Sequence, residues 1–214
     1  MLKAVIFDRD GVLVDSEWAN IAASKEAFRQ LWIAITPEDE KEIVAKHPKD
    51  YLAYFHTKYG DFSDEKFAEI VAPVYYKLLD EANFIAPAVD LAHRMKDELL
   101  LALNTSAELK NTQTLLKRWH MEELFTVMTT AEDTKTRKPD PESYLLTAQK
   151  LGVEVSECIA IEDSKIGLDA AKAAGMKCIV IPNKYTKDQD FSQADLIVHS
   201  ADALDIDLLK SIIT

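Results

Sequence analysis

Acidic residues at two places in the chain have the types and the spacing that phosphoryl transfer requires. Asp8 and Asp10 are separated by one residue after an apolar run, and Glu162 and Asp163 directly follow a second apolar run. Residues two apart in an extended strand share a face, so both early carboxylates can address one bound group. One can then act as a nucleophile and the other as a general acid and base.

Different roles are predicted for these four acids. We assign the attack on phosphorus to Asp8, and to Asp10 the proton transfers to a leaving alcohol and from water. Glu162 and Asp163 offer the hard oxygen ligands that suit Mg²⁺. Two unit charges about 4 Å apart repel by roughly 4 kcal/mol at an effective dielectric constant of 20. Several clustered carboxylates therefore need a counterion, and we predict that it is Mg²⁺.

A lysine is expected to complete the charge balance of this site. Lys138 precedes Pro139, which biases its backbone to an extended form and favours a side chain that crosses the rim of the sheet. There it would offset the charge of Asp8 and hold the transferring group as a compact cation. Lys135 and Arg137 are alternatives for this role. For each of the three residues, the other interpretation is an ordinary surface residue with no role in the site.

Two hydroxyl residues follow another apolar run. Thr105 and Ser106 stand where a strand is expected to turn into a helix. Hydroxyls and backbone N–H groups at such a turn can bind phosphate. The same residues can instead cap a helix that begins at Ala107, and both interpretations stay open at this point.

The elements that position these residues alternate along the chain. Short apolar runs typical of buried parallel strands lie at 4–7, 99–103, 125–128, 158–161, 178–181 and 196–198. Helical patterns lie at 88–96, 107–119, 141–151, 166–174 and 203–213. This alternation predicts an α/β fold with a doubly wound, Rossmann-like parallel sheet. Ligands of such sheets bind beyond the carboxyl ends of the strands.

The early part of the chain departs from this alternation. Residues 15–82 contain no strand-like run, and their helical periodicity indicates an inserted α-helical domain. We therefore assign residues 1–14 and 83–214 to the α/β core. Within the insertion, the acidic stretch 38–42 is expected to be a solvated helix face.

Composition limits the partners of the chain. The 214 residues carry a formal net charge of −12, which disfavours nucleic acid and anionic membranes. A small phosphorylated metabolite remains possible, because a bound cation and a lysine can reverse the local potential. Cys158 and Cys178 lie in apolar runs, as expected of buried free thiols. No signal region or membrane span is apparent, so we expect a cytoplasmic location. A monomer is the simplest expectation for the oligomeric state.

Four motifs, taken in order, resemble those of a known superfamily. They are Asp8-Arg9-Asp10-Gly11-Val12-Leu13-Val14-Asp15-Ser16-Glu17, Thr105, Lys138-Pro139-Asp140-Pro141 and Glu162-Asp163-Ser164. Over essentially its whole length the chain resembles the haloacid dehalogenase superfamily, in particular the β-phosphoglucomutase-like phosphatases. These enzymes carry an α-helical cap after the first strand, which the resemblance places at residues 15–82.

The resemblance implies roles for individual residues. Mg²⁺ ligation is implied for Asp8, the Asp10 backbone carbonyl, Asp163 and Glu162, and phosphate contacts are implied for Thr105, Ser106 and Lys138. Many members that act on sugar phosphates carry a histidine where Asn20 stands here. Related mutases hold a second phosphate with cap cations, and Lys49 falls nearest the expected arginine. Asn20 and Lys49 are therefore candidate substrate contacts.

We expect a Mg²⁺-dependent phosphatase, because hydrolysis demands less of the cap than mutase chemistry does. A β-phosphoglucomutase-like phosphomutase is the alternative. A phosphoryl-accepting signalling module of the receiver type would carry its aspartate after a middle strand and would lack a helical insertion, so the early position of Asp8 disfavours it. A catalytically silent binding protein is disfavoured by the complete set of motifs.

Overall fold

The chain forms two compact units in a computed structural model that describes residues 1–213. One unit combines Met1–Val14 with the chain from Phe84 onward, and the other is Asp15–Asn83. The first contains the sheet and the second is helical. Each unit is described by itself below.

All six strands of the described residues form one parallel sheet. The strands are β1 (Ala4–Asp8), β2 (Leu100–Asn104), β3 (Val127–Thr129), β4 (Cys158–Glu162), β5 (Lys177–Val180) and β6 (Leu196–Ile197). Their order is β3-β2-β1-β4-β5-β6. Every residue of β1 and of β4 is buried, which explains why these strands read as unbroken apolar runs. The predicted α/β parallel sheet is confirmed.

Nine α-helices lie in the described residues. They are α1 (Glu17–Gln30), α2 (Pro37–Ile43), α3 (Pro48–Tyr59), α4 (Asp64–Leu79), α5 (Ala86–Met95), α6 (Leu109–Arg118), α7 (Glu142–Leu151), α8 (Lys165–Ala173) and α9 (Ile206–Ile212). Within the predicted helical insertion, the sequence analysis marked no separate helix at α3, although Pro48 at its first position is an ordinary start signal. The last helix begins later than predicted, because Asp205 caps it at the Leu208 N–H.

The register of the central strands brings polar residues to one edge of the sheet. Asp8 pairs with Asn104 across β1 and β2, and Phe7 pairs with Ile161 across β1 and β4. The strands are parallel, so Asp8 and Glu162 both stand at carboxyl ends on the same edge. This edge is where a doubly wound sheet binds its ligand.

Two further observations concern the sequence predictions on cysteines and membranes. Cys158 and Cys178 are buried and free, as predicted. Among the described helices, none combines the length and the apolar character that a membrane crossing needs.

The expectation of a solvated acidic face at 38–42 is wrong for one residue. Asp39, in α2, is fully buried in the helical unit. Its carboxylate accepts hydrogen bonds from Tyr54 and Tyr59 at 2.8 and 2.5 Å, and from Lys58 at 2.5 Å. It also accepts a hydrogen bond from the backbone N–H of Thr36, the N-cap residue of α2. Asp39 therefore ties α2 to α3.

Replacement of Asp39 by asparagine is expected to destabilise the protein by about 2 kcal/mol, because several hydrogen bonds to a buried charge are weakened or lost. Burial opposes ionisation, yet hydrogen bonds from Lys58, Tyr59 and Thr36 outweigh it and hold the pKa of Asp39 well below its usual range. Its stabilising contribution is thus present above the ordinary aspartate pKa of about 3.9 and is lost as the pH falls below it.

Urea unfolding at neutral and acidic pH measures this effect. The difference between the wild type and Asp39→Asn should be large at pH 7 and should shrink below about pH 4. Glu38→Gln, an exposed acid on the same helix, is the control and should change little. Equal midpoints for the wild type and Asp39→Asn at pH 7 would contradict the assignment.

Candidate active site

Three buried acids meet at the carboxyl edge of the sheet. Asp8 ends β1, Glu162 ends β4 and Asp163 follows directly. One oxygen from each lies within 4.8 Å of the others. We call these three residues the acid cluster.

Lys138 reaches the acid cluster from the loop between β3 and α7. Its Nζ donates to Asp8 Oδ1 at 2.6 Å and to Glu162 Oε1 at 2.9 Å. The lysine side chain is only 7% exposed. Of the three cations considered for this role, Lys138 makes the contact, whereas Lys135 is exposed and Arg137 is half-buried elsewhere on the loop.

The acid cluster carries more negative charge than Lys138 can neutralise. Burial raises the pKa of Asp8 to about 8; Lys138 opposes this rise, while Glu162 and Asp10 add to it. Burial alone would lower the pKa of Lys138, but Asp8 and Glu162 raise it above its usual value, so the lysine is charged. One cation therefore faces several carboxylates. This imbalance favours binding of a divalent metal ion.

Glu162 is held by neighbours on both carboxylate oxygens. Oε1 also accepts from the Tyr144 hydroxyl at 2.5 Å, and the Ser164 hydroxyl lies 3.5 Å from Oε2. A Cβ at Gly167 would lie 2.0 Å from the Glu162 carboxyl group. Gly167 is thus needed for the close approach of this carboxylate.

Asp10 lies outside the acid cluster and forms a bidentate ion pair with Arg9. Arg9 Nε donates to Asp10 Oδ2 at 3.0 Å and Nη2 donates to Oδ1 at 2.9 Å. Arg9 is buried, and its Nη1 donates to the Thr112 hydroxyl on α6. The Thr105 hydroxyl lies 3.4 Å from Asp10 Oδ2. The orientation of the Asp10 carboxylate is therefore set by Arg9, which follows β1, and by Thr105, which follows β2.

Thr105 does not cap a helix at Ala107. The helix α6 begins at Leu109, and its N-cap residue Glu108 makes no side-chain cap. Thr105 is buried, and its hydroxyl accepts from the Ala107 N–H at 3.0 Å within the strand-to-helix turn. The capping alternative is wrong as stated, and Ser106 remains exposed at the same turn.

Comparison with known proteins identifies the family. The sequence model described as haloacid dehalogenase-like hydrolase matches residues 5–181. The chain belongs to this family. It is 30% identical to hexitol phosphatase B of Escherichia coli, over 93% of this chain and 92% of that protein. The protein is thus a haloacid dehalogenase-like phosphatase.

Solved structures of similar proteins support the same assignment. CbbY from Rhodobacter sphaeroides, solved as a variant in complex with xylulose-(1,5)bisphosphate, is 29% identical with a TM-score of 0.82, over 95% of this chain and 96% of that one. β-Phosphoglucomutase from Clostridium difficile is 25% identical with a TM-score of 0.84, over 100% and 97% of the two chains. The predicted resemblance is confirmed at the level of family and fold.

Two predicted contacts of this phosphatase lie in the helical unit. Asn20 is on α1, where its amide donates to Glu17 Oε1 at 3.1 Å. Lys49 is an exposed residue in the first turn of α3, where its backbone N–H donates to His47 Nδ1. Asn20 and Lys49 stay predictions as substrate contacts.

The sequence analysis missed residues that orient the predicted site residues directly or through a neighbour, among them Tyr144, which donates to Glu162. Arg9 and Thr112 orient Asp10, and Asn183 donates to Asp163 Oδ2 at 2.6 Å. A signal for Asn183 was present, because it is a polar residue just after the apolar run that forms β5. A polar residue after a strand is common, however, so this signal alone did not single it out.

Proposed function

We propose that this phosphatase hydrolyses a small phosphorylated metabolite of the sugar phosphate type, with Mg²⁺ and through an aspartyl-phosphate on Asp8. The observation that carries the proposal is the position of Asp8. It ends the central strand and belongs to the acid cluster, and one of its oxygens accepts a hydrogen bond from Lys138. Asp8 is thus a buried carboxylate placed between a cation and a candidate metal site.

The acid cluster fits Mg²⁺ by its donor chemistry. Asp8, Glu162 and Asp163 offer only hard oxygen ligands, and the backbone carbonyl of Asp10 is a further proposed ligand. Gly11 and Gly167 support this fit, since a Cβ at either position would lie 2.0 Å from a carboxylate oxygen of Asp163 or Glu162. When bound, the ion supplies positive charge that offsets the acids and the phosphoryl oxygens.

The proposed reaction has two steps that share one nucleophile. In the first, an Asp8 oxygen bonds to phosphorus as the ester P–O bond breaks, and Asp10 gives its proton to the leaving alkoxide. In the second, Asp10 takes a proton from water, the water oxygen bonds to phosphorus, and the Asp8–phosphorus bond breaks. The products are the alcohol and inorganic phosphate. Lys138 offsets the charge of the Asp8 carboxylate before attack and the charge of the phosphoryl group in the intermediate.

The other predicted residues bind the substrate in this proposal. Thr105 and Ser106 are proposed to contact the phosphoryl group at the end of β2, and Asn20 and Lys49 are proposed to contact the rest of the substrate. The names of the relatives support a sugar phosphate, since one acts on hexitol phosphate and another was solved with a sugar bisphosphate. The likeness to β-phosphoglucomutase keeps a phosphomutase as the second candidate.

An assay of the purified protein against sugar monophosphates separates these candidates. Each substrate is tested with Mg²⁺, with excess EDTA, and with a sugar bisphosphate primer. We expect stoichiometric alcohol and free phosphate with Mg²⁺, and loss of activity in EDTA that added Mg²⁺ restores. Isomerised product without free phosphate would support the mutase instead, and full activity in EDTA would contradict the metal site.

A further inference from the structure

Asp163 is held by a residue from the loop after the neighbouring strand. We call residues 181–186 the β5 loop. Within it, Asn183 Nδ2 donates to Asp163 Oδ2 at 2.6 Å. The strands β4 and β5 pair in parallel, so both side chains leave the same edge of the sheet. Asp163 is almost fully buried and Asn183 is half-buried.

The β5 loop fixes which way the Asn183 amide points. Asn183 Oδ1 accepts from the backbone N–H groups of Tyr185 and Thr186 at 2.8 and 3.2 Å. Those donors require an oxygen, so the amide nitrogen faces Asp163. The buried Thr186 hydroxyl in turn accepts from the Asn183 N–H at 3.1 Å. The loop thus presents an N–H donor to Asp163 in a set orientation.

The turn at Gly11, which follows the proposed nucleophile Asp8, packs against Asp163 and Asn183. A Cβ at Gly11 would lie 2.0 Å from Asp163 Oδ2 and 3.0 Å from Asn183 Nδ2. Gly11 also has a φ of +80°, a conformation that favours glycine. Asp163 is therefore confined between the ends of β1 and β5.

We propose that Asn183 is a positioning residue that holds the Asp163 carboxylate in the orientation in which it binds Mg²⁺. The inference rests on the proposed function and names a further residue of that site. A neutral amide suits this task, because it orients the carboxylate by a hydrogen bond without cancelling the charge that attracts the ion. Hydrogen bonds of this kind to metal ligands typically change metal affinity by about 10–100-fold.

Calorimetric titration of the substrate-free protein with Mg²⁺ tests the proposal. Asn183→Ala should raise the Mg²⁺ dissociation constant by about 10-fold or more. Asn183→Ser provides a variant that keeps the loop folded, because a serine hydroxyl can accept from the N–H two residues on but is too short to reach Asp163 as well. It should weaken Mg²⁺ binding as the alanine variant does, with a smaller loss of melting temperature.

A matched control removes a comparable hydrogen bond elsewhere. Asn111 donates to Glu108 Oε2 at 3.0 Å on α6, and Asn111→Ala should leave Mg²⁺ affinity unchanged. Wild-type Mg²⁺ affinity in Asn183→Ser would overturn the proposal, since the loop alone would then be sufficient. Equal weakening in Asn111→Ala would overturn it too. Absence of Mg²⁺ binding by the wild type would contradict the proposed function itself, a result distinct from either of these.

Discussion

Replacement of Asp8 by asparagine is expected to abolish phosphatase activity and to raise the stability of the metal-free protein. Loss of the nucleophile should lower kcat by at least about 10⁴-fold, in line with nucleophile removal in other enzymes. The asparagine keeps the shape of the side chain while removing a charge that the folded state tolerates poorly. Few active-site substitutions combine these two effects, so the pair of results is diagnostic.

The stability effect has a definite dependence on pH. Burial is the main cause that raises the pKa of Asp8 to about 8, so the folded state binds a proton that the unfolded chain releases near pH 4. The stability that Asp8 contributes is present below about pH 4 and is lost as the pH rises toward 8. The asparagine variant should therefore be more stable than the wild type at pH 7, by on the order of 2 kcal/mol, and similar below pH 4.

Thermal unfolding in EDTA at pH 7 and pH 4 measures this difference. A gain of 2 kcal/mol corresponds to a rise in Tm of about 4–8 °C for a chain of this length. The control is Asp61→Asn, which removes an exposed charge outside the site and should leave Tm and activity nearly unchanged. A markedly lower Tm for Asp8→Asn at pH 7 would show that burial of the Asp8 carboxyl group does not destabilise the folded state.

Replacement of Asp10 by asparagine is expected to lower turnover of an alkyl phosphate by about 10²–10⁴-fold, the usual loss for a general acid and base. An aryl phosphate has a leaving group that needs little protonation, so its first step should be nearly preserved. Hydrolysis of the aspartyl-phosphate should stay slow in this variant, because the residue that takes the proton from water is missing. The variant should therefore release one equivalent of the phenol in a rapid burst and then release phosphate slowly.

Rapid-quench assays with an alkyl and an aryl phosphate test this prediction. The matched control is Asp140→Asn, an exposed aspartate near Lys138 that should show no burst and normal turnover. Equal losses for both substrates without a burst would assign Asp10 a binding role rather than proton transfer. Full activity in Asp10→Asn with both substrates would contradict the assignment of proton transfer to Asp10.

Residues that stand at the ends of apolar strands were predictable from the sequence. Asp8, Glu162 and Asp163 each follow an unbroken buried run, and in a parallel sheet such positions converge on one edge. Lys138 was identified among three cations only with the help of Pro139. These residues could be predicted from the sequence because the topology of the sheet, rather than side-chain packing, brings them together.

Contacts that depend on packing were beyond the sequence. Arg9 meets Thr112 across 103 positions, and no periodicity marks that pair. Asp39 fits the pattern of an exposed acidic helix face, and its burial depends on donors from α3, a helix that was not marked separately within the predicted insertion. The role of Asn183 was equally hard to predict, since its partner Asp163 is 20 positions away and follows another strand. Helical periodicity assigns a face to a residue but does not reveal what another element places against that face.

Trapping with fluoroberyllate tests the central claim that Asp8 becomes phosphorylated. Beryllium fluoride mimics a phosphoryl group bonded to a carboxylate. With Mg²⁺ present, ¹⁹F NMR and a crystal structure of the wild type should show an adduct on an Asp8 oxygen, and the Asp8→Asn variant should show none. An adduct on another side chain, or no adduct in the wild type under conditions where it hydrolyses substrate, would contradict the account.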